Sequence, residues 1–216
     1  MAFCCPASLA RLPCPPSIEK FENLRRKCRR FYILAQAGQE GPAFKYISGD
    51  AVLKGGELTL NIHPQNAAWF HFDNTLSILG TTQKKQPDST KYLPYTPPYK
   101  LYSGVEFVAK KLGNAFANSY IRIDLENYFK QDKIYYKFGD ETVTPGYTLL
   151  NMGIGTDIIS RGHTLFSFYI YARNIGDVAY QNNMSRLKYG DPNNITGRTG
   201  VYETGKNIGF KLNIPI

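Results

Sequence analysis

Ser160 and His163 stand three residues apart, and a hydroxyl beside an imidazole is raw material for nucleophilic catalysis. The spacing puts both in one short connection, and nothing nearby would orient the imidazole as a base, so catalysis is not expected. His63 and His71 have no Cys or carboxylate cluster around them that would suggest a metal centre. The four cysteines, Cys4, Cys5, Cys14 and Cys28, fall outside the spacing of paired zinc knuckles, and no His sits among them. They read as unpaired thiols. No catalytic residue, metal ligand or cofactor is assigned.

The remaining chemistry lies in charges at alternate positions and in charges on long connections. Arg122, Asp124 and Glu126 alternate with Ile121, Ile123 and Leu125, which in an extended chain puts all three charges on one face. Glu57 shares a face with Thr59 and Asn61, and Arg173 ends a run in which Ser167, Tyr169 and Tyr171 oppose Phe166, Phe168 and Ile170. A different set, Lys84, Lys85 and Lys91, and then Arg186, Lys188 and Tyr189, falls in stretches rich in Gly, Pro, Asn and Asp. Basic groups there would favour an anionic ligand, and solvated surface charge is the plainer alternative for each.

These residues are positioned by strands. The 216 residues include 16 Tyr and 13 Phe against a single Trp, a composition that leans toward sheet. Mean hydropathy is −0.34 and no apolar run approaches a spanning helix. A transmembrane barrel is not excluded, because its alternating strands score low. About seven antiparallel strands are expected, near 44–62, 67–81, 98–111, 117–132, 146–159, 164–174 and 200–215. Connections after the first, third and fifth are short and made of turn residues, and those after the second, fourth and sixth are long. Short turns at one end and long loops at the other are the pattern of an outer-membrane barrel. Tyr92, Tyr95, Tyr99, Tyr102, Tyr128, Tyr135, Tyr136 and Tyr147 are expected to form an interfacial girdle at the loop end. The competing architecture is a soluble lipocalin-like β-barrel with its apolar face inward, binding a small hydrophobic ligand.

The net charge of +9 divides unevenly. Residues 1–40 hold seven basic groups against three acidic ones and all four cysteines, and no secretory signal is discernible there. They are expected to be a separate basic segment outside the fold, with residues 41–216 forming the partial barrel. The rest of the excess is dispersed and no recognition motif accompanies it, so nucleic acid is not an expected partner.

Specific strings add to these patterns. AVLKGGELTLNIHP at 51–64, LPYTPPYKL at 93–101, PGYTLLNM at 145–152, RNIGDVAY at 173–180, and MSRLKY with TGRTGVYETGKNIGFKLNIPI at 184–216 resemble, in family order, the barrel of TonB-dependent outer-membrane receptors. The closing segment is most similar to those of the Bacteroidetes type. The resemblance implies an all-β fold, the strands being the last of a 22-stranded transmembrane barrel, in the cell outer membrane with lipid as its surroundings. It implies a receptor for a scarce nutrient such as an iron-siderophore, haem or cobalamin. The long-loop residues become capture candidates, and Glu57, Arg122, Asp124, Glu126 and Arg173 become lumen-facing. Energising through the TonB complex would need an amino-terminal part outside these strands. A stretch of about seven strands leaves two open edges, which are unfavourable in hydrocarbon, so transport by it alone is not expected. The final Ile216 departs from the terminal aromatic often found on such strands.

Gly55 and Gly56 are expected to relieve crowding or form a bulge, and Asn174 and Asp177 to satisfy backbone amides in the turn after the sixth expected strand.

Overall fold

The computed structural model describes residues 17–19, 24–38, 41–136 and 141–215, with side chains from residue 50 onward. Nine strands form one antiparallel sheet: β1 (Ser17–Glu19), β2 (Leu24–Gly38), β3 (Gly41–Ile62), β4 (Phe70–Gln83), β5 (Lys100–Leu112), β6 (Phe116–Tyr128), β7 (Tyr147–Ser160), β8 (His163–Arg173) and β9 (Asn207–Asn213). From β3 to β9 each strand pairs with the next, a meander, and β1 and β2 both pair with β3 on the edge that β4 leaves free. No α-helix occurs among the described residues.

The seven strands expected from alternation are β3 to β9. Two differences stand out. The boundary expected at residue 40 does not coincide with an edge of the sheet, because β2 pairs with β3 along Leu24–Gly38. Alternation does not reveal β2: Phe31, Tyr32, Ile33 and Leu34 run consecutively after a cluster of Arg and Lys, so they are strand-prone without a period of two. Cys4, Cys5 and Cys14 lie outside the described residues. At the other end, β9 begins at Asn207 rather than near 200, since residues 200–206 are held by loop contacts such as the Glu203 amide on the Tyr180 carbonyl, 3.0 Å away.

Strands β4 to β7 run 13 to 14 residues, more than the 9–11 or so that a tilted strand needs to cross a bilayer. Short connections follow β3, β5 and β7, and the long ones, residues 84–99, 129–146 and 174–206, all leave the opposite end. The tightest is Arg161–Gly162, with φ of 50° and 84°, both left-handed, as a two-residue type I′ hairpin requires.

Little of the apolar surface is inside the molecule. Among the described residues only Ala51, Ile134, Tyr135 and Leu149 are buried apolar side chains. Ile121, Ile123, Leu125, Ile154, Ile170 and Phe210 lie on one face of the sheet and are exposed, Phe210 at 78%. A soluble barrel binding a hydrophobic ligand would enclose that face. Here it is turned outward, where only lipid can cover it.

Gly55 answers the crowding expected of it: an added Cβ would sit 2.7 Å from the Ile78 carbonyl oxygen. The register through Gly55 and Gly56 is continuous, so no bulge forms.

Candidate functional site

The polar face of the sheet is built by register. Glu106 faces Arg122 across the β5–β6 pair, His71 faces Glu106 across β4–β5, and Asp73, Gly104 and Asp124 form the neighbouring row. Arg122 therefore reaches three carboxylates: its Nη1 is 3.0 Å from Glu106 Oε2, its Nη2 is 3.3 Å from Asp73 Oδ2, and its Nε is 2.9 Å from Asp124 Oδ1. Nη2 also donates to the Tyr102 hydroxyl at 2.6 Å, and that hydroxyl donates to Asp124. The guanidinium fork is suited to several acceptors at once, which an ammonium would not match.

Room for this cluster comes from Gly104. A Cβ there would lie 2.7 to 2.9 Å from the Tyr102 hydroxyl, the Asp124 carboxylate and Arg122 Nη2. In the next row along the face, Lys100 Nζ is 2.6 Å from Glu126 Oε2, which also accepts the Tyr128 hydroxyl at 2.9 Å, while Asn151 donates to Glu126 Oε1 at 2.9 Å. His63 and His71 pack edge to face, with ring centroids 4.7 Å apart. His63 approaches Asp73 at 3.8 Å and His71 approaches Glu106 at 3.5 Å. Ser160 and His163 pair directly across the hairpin turn, where His163 is exposed.

The long connections form a second cluster. Glu141, 2% exposed, accepts the backbone amides of Tyr95 at 3.2 Å and Tyr135 at 2.8 Å. Asn183, fully buried, donates to the Thr96 carbonyl at 2.9 Å and to Glu141 at 3.5 Å, and accepts the Thr144 hydroxyl at 2.7 Å. Gln131 donates to the Thr96 carbonyl at 2.7 Å, and Thr81 and Thr96 share a hydroxyl contact of 2.8 Å. All three loops meet around Glu141, so they form one cap rather than three independent arms. No sequence motif marks Glu141 or Asn183, because their partners are mostly backbone groups of distant loops.

Expected site residues distribute between these clusters. Arg122, Asp124 and Glu126 come together as alternation requires. Glu57, on the same face, is exposed and accepts a 3.5 Å contact from Ser77. Arg173 is exposed at the end of β8. Of the loop candidates, Lys84, Lys85, Lys91 and Arg186 are exposed. Arg186 lies over the Tyr95 ring at 5.3 Å, and Lys91 Nζ is 6.0 Å from the Tyr92 centroid. Lys188 and Tyr189 depart from the capture expectation. Lys188 is 5% exposed, with Nζ donating to the Thr142 carbonyl at 3.0 Å and the Thr144 hydroxyl at 2.7 Å. Burial holds its pKa below the ordinary lysine value, only partly opposed by the Glu141 charge. The Tyr189 hydroxyl accepts the Thr142 amide at 3.4 Å, and burial raises its pKa.

The girdle expectation is also corrected. Tyr102 and Tyr128 are hydrogen-bonded on the polar face, Tyr147 stacks between Tyr128 and Tyr180 at 4.6 and 4.4 Å, and Tyr135 is buried in the cap. Aromatics near strand ends divide between the two faces, and proximity to an end does not tell which face each one takes. An aromatic group that sequence reading missed sits at the short-turn end, where Trp69 stacks on Phe107 at 6.0 Å with Phe70 beside them.

Asn174 and Asp177 have the turn roles expected. Both adopt left-handed φ, 49° and 51°. The Asn174 side chain accepts the Val178 amide and donates to the Val178 carbonyl, each at 2.9 Å, and Asp177 Oδ1 accepts the Lys206 amide at 2.8 Å.

A meander of membrane-length strands, apolar on its outer face and charged on the other, with every long loop at one end, defines the wall of an outer-membrane β-barrel. The profile of the TonB dependent receptor-like β-barrel matches residues 31–175, two-thirds of the chain, and the chain belongs to that family. Barrels of this family lie in the outer membrane and serve transport, not catalysis. Among solved structures, Copper transporter OprC superimposes with a TM-score of 0.63 at 18% identity, covering 85% of this chain and 26% of that one. The chain thus spans about a quarter of that protein's length, and the likeness is one of fold. A comparison with curated proteins finds no match.

Proposed function

We propose that this chain is part of the wall of an outer-membrane receptor that takes up a scarce nutrient such as an iron-siderophore, haem or cobalamin. On this reading the polar face bearing Glu57, Arg122, Asp124, Glu126 and Arg173 lines the lumen, and the loop cap faces the outside. TonB would act through a part of the receptor other than these strands. The observation that carries the reading is the cap: the three long connections close over one end of the sheet around Glu141, while Lys84, Lys85, Lys91 and Arg186 remain at its surface. Such a cationic surface attracts anionic chelates and speeds their arrival.

Two measurements test this. After expression in a Gram-negative host, the chain is expected in the outer-membrane fraction and to need detergent for extraction; a freely soluble monomer would sink the reading. Replacing Lys84, Lys85, Lys91 and Arg186 together by Gln is expected to slow association of an anionic iron chelate by about tenfold at low salt. An unchanged association rate would remove these residues from the capture surface.

A further inference from the structure

Beside β7, β8 and β9 the polar face holds a cavity of about 820 Å³, a size usual for small-molecule sites. We infer that this cavity is a binding site for a small ring-bearing acid that also carries a hydroxyl donor, with Arg173 holding the acid. The inference deepens the reading of the chain as an uptake receptor and rests on it.

The groups lining the cavity fall into spent and unspent. Asp124 is engaged by Arg122 and Tyr102, and Glu126 by Lys100, Tyr128 and Asn151. Asn174 is locked into its own turn, and its amide holds the Asn151 side-chain carbonyl at 2.9 Å. Arg173 makes no ion pair or hydrogen bond through its side chain to any described residue, although it lines the cavity. Directly across the β8–β9 pair is Asn207, whose side-chain amide also has no partner among the described residues. A guanidinium fork with an adjacent amide presents a row of donors, and a carboxylate is the compact acceptor that satisfies them.

The rest of the lining narrows the class further. Tyr171 and Tyr180 line the cavity with aromatic rings, which favour a flat ring, whereas the Tyr128 ring is already covered by Tyr147 and Lys100. Glu126 Oε1 accepts only Asn151 and keeps a lone pair for one more donor. One carboxylate, one ring and at least one hydroxyl meet all three conditions.

The test uses the full chain in detergent micelles and isothermal titration with 4-hydroxybenzoate, its methyl ester and benzoate. Saturable binding of 4-hydroxybenzoate is expected, at least about tenfold weaker binding of the ester, and weaker binding of benzoate by a smaller factor. Arg173→Gln should abolish the preference for acid over ester, while Arg173→Lys should keep part of it. Because Arg173 is exposed and unpaired, both variants should retain the wild-type circular dichroism. Equal binding of acid and ester, an acid preference that survives Arg173→Gln, or no saturable binding up to about 10 mM would overturn the assignment. Outer-membrane fractionation and chelate capture by the loop cations do not involve Arg173. Failure in the titration would therefore leave the receptor reading standing, and failure in fractionation would be seen separately.

Discussion

Arg122 and Glu141 are both ions held by several partners, and they are held by opposite means. Around Arg122 the partners are side chains on three adjacent strands, brought together by register and still partly solvated, Arg122 itself being 28% exposed. Around Glu141 two of the partners are backbone amides from two different loops, and the carboxylate is almost wholly inside. The wall can lose one charge and keep its ladder of strand hydrogen bonds. The cap has no such ladder, so its shape depends on the few side chains that satisfy its backbone. Damage to Glu141 should spread through three loops, and damage to Arg122 should stay on one face.

The largest effect is expected from Glu141→Ala, which leaves buried amides and Asn183 without their acceptor. It should destabilise the cap by on the order of 3 kcal/mol, seen as faster proteolysis and hydrogen exchange throughout 84–99, 129–146 and 174–206, with the strands unchanged. If the three loops respond separately, they are not one unit. Next is Arg122→Ala, which leaves Asp73, Glu106 and Asp124 facing one another. A cost of about 2 kcal/mol is expected because the site is partly solvated, with exchange rising only in β4 to β6. Arg122→Lys should recover less than half, since an ammonium cannot span the three carboxylates. Gly104→Ala should displace the same cluster at about 1 kcal/mol, and an exchange pattern unlike that of Arg122→Ala would break the proposed link between them.

The smallest effect concerns Lys188 and runs with pH. Folding lowers its pKa, so the folded cap carries a penalty while the amine is charged. The unfolded state binds the extra proton between the lowered value and the ordinary 10.5, and cap stability should therefore rise with pH across that window. Lys188→Met should flatten the rise, which loop exchange measured at several pH values would detect. A rise that persists in Lys188→Met would assign it to another group.

The same contrast explains what could be read from the sequence. Strand order, the end bearing the long loops, and the shared face of Arg122, Asp124 and Glu126 all follow from a period of two, and the structure has them. Gly104 escaped notice because its importance lies in what its absent side chain admits. Glu141 and Asn183 escaped because backbone amides of distant loops leave no residue signature. Lys188 was misread for a related reason: a basic residue in a polar loop looks solvated until the loop folds over it. Strand β2, paired with β3, was hidden by the basic run that precedes Phe31.

The Arg161–Gly162 turn carries a consequence of its own. With both residues left-handed, the hairpin closes in two residues, and the register shift just beyond it, which skips Leu165 and brings Phe166 opposite Ile158, completes the choice of which side of β8 is apolar. That is a matter of parity. An insertion of one residue here would exchange Phe166, Phe168 and Ile170 for Tyr169, Tyr171 and Arg173, turning the charge onto the apolar face and the hydrocarbon onto the polar one, whereas an insertion of two would return each side chain to its own side.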